Sequence, residues 1–247
     1  MKLTSKVSLV GSGDLGFGLT HDRDCNVYLL DGGGQLALVD AGAGIDPSGI
    51  IRCIEDAGYD PGRVAHLFLT HGHADHAGGA RQLRDRLQCR VWASAVEADM
   101  LRKGDERGLG LEAAKKSGLY PGDYRLEETP VDEELGDGDE VRVGSCVVRV
   151  IGTPGHSSGS VCYLAITDSG EMLFTGDTLL AGGRMALLNC PGFNLDDLRR
   201  SVVSKLDGLC PSAVFPGHGT SRLTAGAKWI EQAVVSWSSI RLPPSIV

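Results

Sequence analysis

The chain has little of what several large protein classes require. Aromatic residues are scarce, with three Trp, five Tyr and five Phe in 247 positions. Basic residues are outnumbered, 24 against 32 acidic, for a net charge of −8 and a pI near 5.3. A protein that tracks phosphates ordinarily carries a basic patch and a pI above about 9. Nucleic acid and anionic membrane are therefore not expected partners. No apolar stretch approaches the roughly 18 residues of a membrane-spanning helix. The opening segment Met1–Gly16 lacks the apolar centre of a secretory leader. The seven cysteines (25, 53, 89, 146, 162, 190 and 210) are odd in number and form no Cys-x-x-Cys pair. That spacing argues against a disulfide framework or a zinc ribbon and fits a reducing, cytoplasmic setting. Pro- or Ser-rich linkers and low-complexity tracts are also missing.

Glycine is in excess: 35 of 247 positions, about 14% against a usual ~7%. Tight loops follow from such a composition, and loops are where sites sit. Hydrophobic residues make up 42% and charged residues 23%, enough at this length to bury a sizeable core. One domain spanning 1–247 is expected, acting on a small molecule; a homodimer stays open.

Short apolar runs bounded by Gly, Asp or Pro predict strands at Lys6–Val10, Val27–Leu30, Leu36–Val39, Val64–Leu69, Arg90–Ala93, Val161–Ile166, Met172–Phe174 and Ala213–Phe215. Val141–Val150 reads as a hairpin turning at Gly144-Ser145. Helical periodicity falls at Pro47–Ala57, Gly79–Leu87, Ala95–Lys103, Leu111–Lys116, Leu195–Leu206 and Ala225–Val235. Strands and helices interleave, yet several strands follow one another directly. The pattern is mixed α/β with hairpins, and it repeats coarsely on either side of residue 130. Segment 101–124 reads as a surface excursion or lid.

The densest chemistry lies in Thr70–Gly79, THGHADHAGG. His71, His73, Asp75 and His76 fall on a loop between a buried strand and a helix. Packing these groups together without a cation is costly, and neutral imidazoles with carboxylates are good ligands for Zn, Fe, Mn or Ni. Four further residues share one placement, just past the end of an apolar strand: Asp40, His156 in TPGHSSGS, Asp177 in TGDTL and His218 in FPGHG. Loops so placed can converge on one sheet edge.

Asp40, THGHADH, TPGH, TGD and PGHG, in this order, resemble the metallo-β-lactamase superfamily, from about Val7 to Ala227. The resemblance implies a four-layer αββα sandwich of two mixed β-sheets, with the site at one edge where the halves meet. It implies two divalent metal ions, zinc first, with iron or manganese as substitutes. His71, His73 and His156 would hold the first ion, Asp75, His76 and His218 the second, and Asp177 would bridge them. Asp40 would orient the HxHxDH loop. The implied reaction is hydrolysis of a thioester, ester or lactone carbonyl by a metal-bridging hydroxide, with Asp75 as a catalytic group that orients the nucleophile or passes a proton.

Within the superfamily, true β-lactamases usually carry Cys or Ser where this chain has Asp177, which weakens the case for antibiotic hydrolysis. CNVYLLDGG (Cys25–Gly33) and TGDTLLAGGR (Thr175–Arg184) are similar to glyoxalase II-like hydrolases. Only 29 residues follow His218, so the helical domain that helps bind glutathione in that group is not expected. The same motifs leave open an acyl-homoserine lactonase and a mononuclear iron sulfur dioxygenase. Segments Leu101–Tyr124 and Leu179–Phe193 are expected to choose the substrate, the first through Leu109, Leu111, Tyr120 and Tyr124. GSGDLG (Gly11–Gly16) has the spacing of a dinucleotide fingerprint, but no helix follows it; it reads as a turn. His66 is expected to be a hydrogen-bonded structural histidine, His21 a loop residue, and Cys190 a small apolar side chain near the pocket.

Overall fold

The computed structural model describes residues 1–239 and 243–246. Its first sheet contains β1 (Val7–Gly11), β2 (Val27–Asp31), β3 (Leu36–Val39), β4 (Val64–Phe68), β5 (Arg90–Ser94) and β6 (Glu133–Leu135), side by side in chain order. The first three are antiparallel neighbours, and β3 through β6 run parallel. The second sheet contains β7 (Glu140–Val143), β8 (Cys146–Gly152), β9 (Val161–Thr167), β10 (Gly170–Gly176) and β11 (Ala213–Pro216). Its order is β11-β10-β9-β8-β7, antiparallel except for the β10–β11 pair. The hairpin turn at Gly144-Ser145 separates β7 from β8 as the sequence indicates.

Side chains alternate across each strand, and the alternation assigns the layers. On β2, Tyr28 and Leu30 point inward with Val39, Phe68, Tyr163, Phe174 and Phe215 to form the core between the sheets. Val27 and Leu29 point outward with Leu38, Leu67 and Val91, where α1 (Pro47–Asp56) and α3 (Ala80–Leu87) cover them. On the far side, Cys162, Leu164, Leu173 and Val214 pack under α6 (Leu195–Arg200) and α7 (Gly226–Ser238). The result is the four-layer αββα sandwich, with one mixed sheet from each half of the chain. After α6 the chain continues through a widened π-type turn at Ser201–Lys205.

Two departures from the sequence reading are local. Strand β6 has no counterpart there: Glu-Glu-Leu has no apolar run, and its pairing with β5 alone makes it a strand. A one-turn helix, α2 (Ala74–Ala77), forms inside the THGHADH segment, so Asp75 and His76 sit on helix rather than loop. The excursion at 101–124 contains the end of α4 (Ala98–Lys103) and all of α5 (Leu111–Lys116). Among the described residues, no helix is long and apolar enough to cross a membrane.

Candidate metal centre

Strand direction within each sheet, and hydrogen bonds between the sheets, gather the site. The C-terminal ends of β3, β4, β8, β10 and β11 lie on one edge, because β3 parallels β4, β10 parallels β11, and β8 and β10 both run opposite to β9. The residues just past those ends are Asp40, His71, His156, Asp177 and His218. The halves are fastened together at this edge. Tyr163 donates its hydroxyl to Leu69 O at 2.7 Å, Val161 N–H donates to Thr70 O at 2.9 Å, and Tyr28 donates to Pro216 O at 2.7 Å.

Three imidazoles form the first group. His73 Nδ1 lies 3.1 Å from His71 Nε2 and 3.0 Å from His156 Nε2. Donors about 2.0–2.1 Å from a tetrahedral ion stand roughly 3.3 Å apart, so these nitrogens are spaced close to what one small cation requires. Burial, reinforced by mutual repulsion with neighbouring imidazoles, pushes the pKa of His71 well below its ordinary value and that of His156 down to about 3. Neutral imidazoles with lone pairs facing one point are the ligand form.

The second group is Asp75, His76 and His218. His218 Nε2 is 3.1 Å from Asp75 Oδ2, and His76 Nε2 is 3.4 Å from His218 Nε2 and 3.7 Å from Asp75 Oδ2. Asp177 reaches both groups: its oxygens lie 3.5 Å from His156 Nε2, 3.4 Å from His76 Nε2 and 3.6 Å from His218 Nε2. Its Oδ1 is buried without a hydrogen-bond partner among the described residues. Burial opposes ionisation of Asp75 and Asp177, yet the surrounding imidazoles, His76 and His218 foremost, hold both carboxyls below the usual range. Burial also opposes a charge on His76, but Cys25 and the carboxylates of Asp40, Asp75 and Asp177 raise its pKa well above normal. Asp40 faces Nδ1 of this ring, while Asp75 and Asp177 both face Nε2, a pair of carboxylates that suits a cation at Nε2. The donor set fits two divalent metal ions on both geometry and charge.

A hydrogen-bond chain beneath the ligands decides which nitrogens face the site. Asp40 Oδ2 accepts from His76 Nδ1 at 2.8 Å, which turns Nε2 outward. Thr70 donates both its backbone N–H and its hydroxyl to Asp40, and its Oγ1 lies 3.0 Å from His71 Nδ1. With its proton on Asp40, that hydroxyl accepts from His71 Nδ1–H, which leaves His71 Nε2 its lone pair. The sequence reading misses the role of Thr70, although its place directly before the first histidine is a usable signal.

The remaining candidates fall around this centre. Leu109, Leu111 and Tyr120 are buried in the first outer core, and a Cβ on Gly72 would stand 2.4 Å from Leu109 Cδ2. The excursion is thus packed against the histidine loop. Tyr124 donates its hydroxyl to Ala43 O at 2.7 Å, so it is not a free donor to a substrate; the Tyr120 hydroxyl is buried without a partner among the described residues. Cys190, half-buried, brings its Sγ to 3.9 Å from His73 Nε2. His21 is a loop residue whose Nδ1 accepts from Arg23 N–H. His66 corrects the expectation: it stacks on Phe68 at 5.8 Å, and neither ring nitrogen has a hydrogen-bond partner. Phe68 on β4 and Trp92 on β5 meet the imidazole with their rings, and the Trp92 Nε1–H does not bond to it, which explains the difference.

Comparison with known proteins bears on the family and the fold. A family model described as the metallo-beta-lactamase superfamily matches residues 21–218. An uncharacterized protein of Mycobacterium tuberculosis is 36% identical over 214 residues, covering 83% of this chain and 89% of that one. A hydroxyacylglutathione hydrolase of Cereibacter sphaeroides is 32% identical over 152 residues, which is 62% of this chain and 46% of the relative. Among solved structures, a metallo-beta-lactamase from Cronobacter sakazakii superposes with a TM-score of 0.73 at 20% identity, covering 96% of this chain and 94% of that one; at that identity the likeness concerns the fold.

Proposed function

The chain belongs to the metallo-β-lactamase superfamily, and from that premise we propose that it is a binuclear metal-dependent hydrolase of a thioester, ester or lactone bond in a small molecule. The observation that carries the reading is Asp177, whose carboxylate stands 3.4–3.6 Å from ligands of both groups. His71, His73 and His156 would hold one ion, Asp75, His76 and His218 the other, and Asp177 both. When bound, two such ions lower the pKa of a water and polarise a carbonyl oxygen.

The chain's own groups supply orientation and proton handling. Asp40 and Thr70 fix the tautomers of His76 and His71. Asp75 is the most exposed carboxylate of the site, with 28% of its side chain accessible against 5% for Asp177. Its Oδ2 faces His218, which leaves the other oxygen to orient a water or pass a proton to a leaving sulfur or oxygen. The neighbouring imidazoles hold Asp75 in the ionised form, an acceptor for hydrogen bonds from water. Zinc is the first candidate ion; iron and manganese suit the same donors.

The thioester has first place in a substrate screen, supported by the hydroxyacylglutathione hydrolase relative and by the CNVYLLDGG segment, which forms β2 and opens the turn toward β3. The test is hydrolysis of thioesters, lactones and simple esters by zinc-loaded protein, with a chromogenic cephalosporin as one control and, for iron-loaded protein, a persulfide under oxygen as the other. Turnover of one carbonyl class, abolished by chelator and restored by zinc, is expected. Oxygen uptake with persulfide and no hydrolysis would replace the reading with a dioxygenase, and cephalosporin opening alone would replace it with a β-lactamase.

A further inference from the structure

Glu97 lies outside the HxHxDH and strand-end motifs. It immediately precedes α4 and belongs to the surface-like run AVEADM. Its side chain is nonetheless buried, with 2% exposure. Each carboxylate oxygen accepts one backbone N–H: Oε2 from Gly72 at 2.7 Å and Oε1 from Gly159 at 3.0 Å. Gly72 sits between His71 and His73. Gly159 lies three residues past His156, in the loop of the other half of the chain. One carboxylate thus spans the two loops that carry the first imidazole group. No Lys, Arg or His ion-pairs with it among the described residues, so the two N–H bonds are what offset its burial.

The close fit to Glu97 explains Gly159, whereas at Gly72 the nearer obstacle is Leu109 Cδ2 at 2.4 Å. A Cβ on Gly72 would stand 3.3 Å from Glu97 Oε2, and one on Gly159 would stand 2.7 Å from Glu97 Cγ and from Ser94 Oγ. The His156 loop is already braced internally. Ser157 N–H donates to Ser160 Oγ at 3.0 Å, the two serine hydroxyls are 2.7 Å apart, and Thr153 N–H donates to Ser160 O at 2.9 Å. A braced loop moves as a unit, so an anchor at Gly159 places His156. Asp75, His76 and His218 receive no bond from Glu97.

We propose that Glu97 is a positioning residue that sets the His156 loop against the His71–His73 loop and thereby forms the first metal-binding group selectively. This rests on the reading of His71, His73 and His156 as metal ligands. The two glutamate oxygens matter as a pair. Glutamine has the same shape but one acceptor, so one of the two N–H groups would face an NH2. Aspartate keeps both acceptors on a stem one methylene shorter.

The test uses cobalt(II) titration of the full-length, metal-stripped protein, followed by visible absorption, with thermal melting of each variant before metal is added. Two single-site backgrounds separate the groups: His218→Ala retains the first, and His156→Ala retains the second. Glu97→Gln is expected to weaken cobalt binding about 10–100-fold in the His218→Ala background. It should change binding less than about threefold in the His156→Ala background. Glu97→Asp should restore part of the loss and shift the cobalt spectrum of the first group. Equal weakening in both backgrounds, or no weakening in either, overturns the proposal. Failure of both Glu97 variants to melt cooperatively makes the residue a general structural one and also overturns it. If the parent binds no cobalt in either background, the metal reading falls, and the proposal with it, before any Glu97 variant is compared.

Discussion

Asp40 accepts the Nδ1 proton of His76 at 2.8 Å from a backbone in the left-handed region, φ +65°. Asp and Asn tolerate that conformation better than other side chains, so Asp40→Asn should keep the backbone. The asparagine NH2 would meet His76 Nδ1–H, and the imidazole would relieve the clash by moving its proton to Nε2. That nitrogen then loses its lone pair. Metal affinity in the group of Asp75, His76 and His218 is expected to fall about 10–100-fold, with a melting temperature close to the parent's. Metal titration of the variant checks this; unchanged affinity would remove Asp40 from its orienting role.

Tyr163 ties the second sheet to the residue before Thr70. Its hydroxyl donates to Leu69 O at 2.7 Å, and both residues are buried. Tyr163→Phe leaves that carbonyl without its partner, at a cost of about 1–3 kcal/mol. At roughly 2–4 °C per kcal/mol for a chain of this size, calorimetry should show a fall of several degrees. A melting temperature equal to the parent's would show that Leu69 O finds another donor.

His66 should make the fold acid-sensitive. Burial, aided by the Arg90 charge, lowers its pKa below 6.5. The unfolded chain therefore takes up a proton below pH 6.5 that the folded chain refuses, and stability from this residue, complete above that pH, drains away as the pH falls. His66→Phe preserves the stack on Phe68 and removes the titration. The melting temperature of the variant relative to the parent is expected to rise as the pH falls from 7.5 to 5. A constant difference across that range would contradict the account.

The 101–124 excursion is best probed by a single atom. Leu109, Leu111 and Tyr120 are 1–7% exposed, so trimming Leu109–Tyr120 would open the core and obscure any effect on substrate choice. Tyr120→Phe removes only a buried hydroxyl with no partner. The variant should melt at or slightly above the parent temperature. A rise in KM with unchanged kcat would identify the hydroxyl as a substrate contact, whereas destabilisation by several degrees would mean it bonds within the fold.

The seven clustered candidate residues and Asp40 are legible in the sequence because each lies shortly after a short apolar strand. Strand boundaries such as Leu36–Val39 and helix α5 at Leu111–Lys116 agree with the sequence reading residue for residue. What escapes it depends on neighbours rather than on local pattern. Glu133–Leu135 is a strand because β5 offers it an edge. Glu97 looks like a solvated helix start until Gly72 and Gly159 arrive from 25 and 62 residues away. A buried histidine such as His66 is expected to find a hydrogen bond, and the aromatic rings placed around it by β4 and β5 provide none.

The shared position of Asp177 is the centre of the account, and metal stoichiometry tests it most directly. Elemental mass spectrometry on protein purified without chelator or a histidine tag is expected to give close to two metal ions per chain. Asp177→Ala should give close to one, with nearly all turnover lost. Two ions and full turnover in that variant, or a single ion in both proteins, would contradict the bridging role and the binuclear hydrolase built on it.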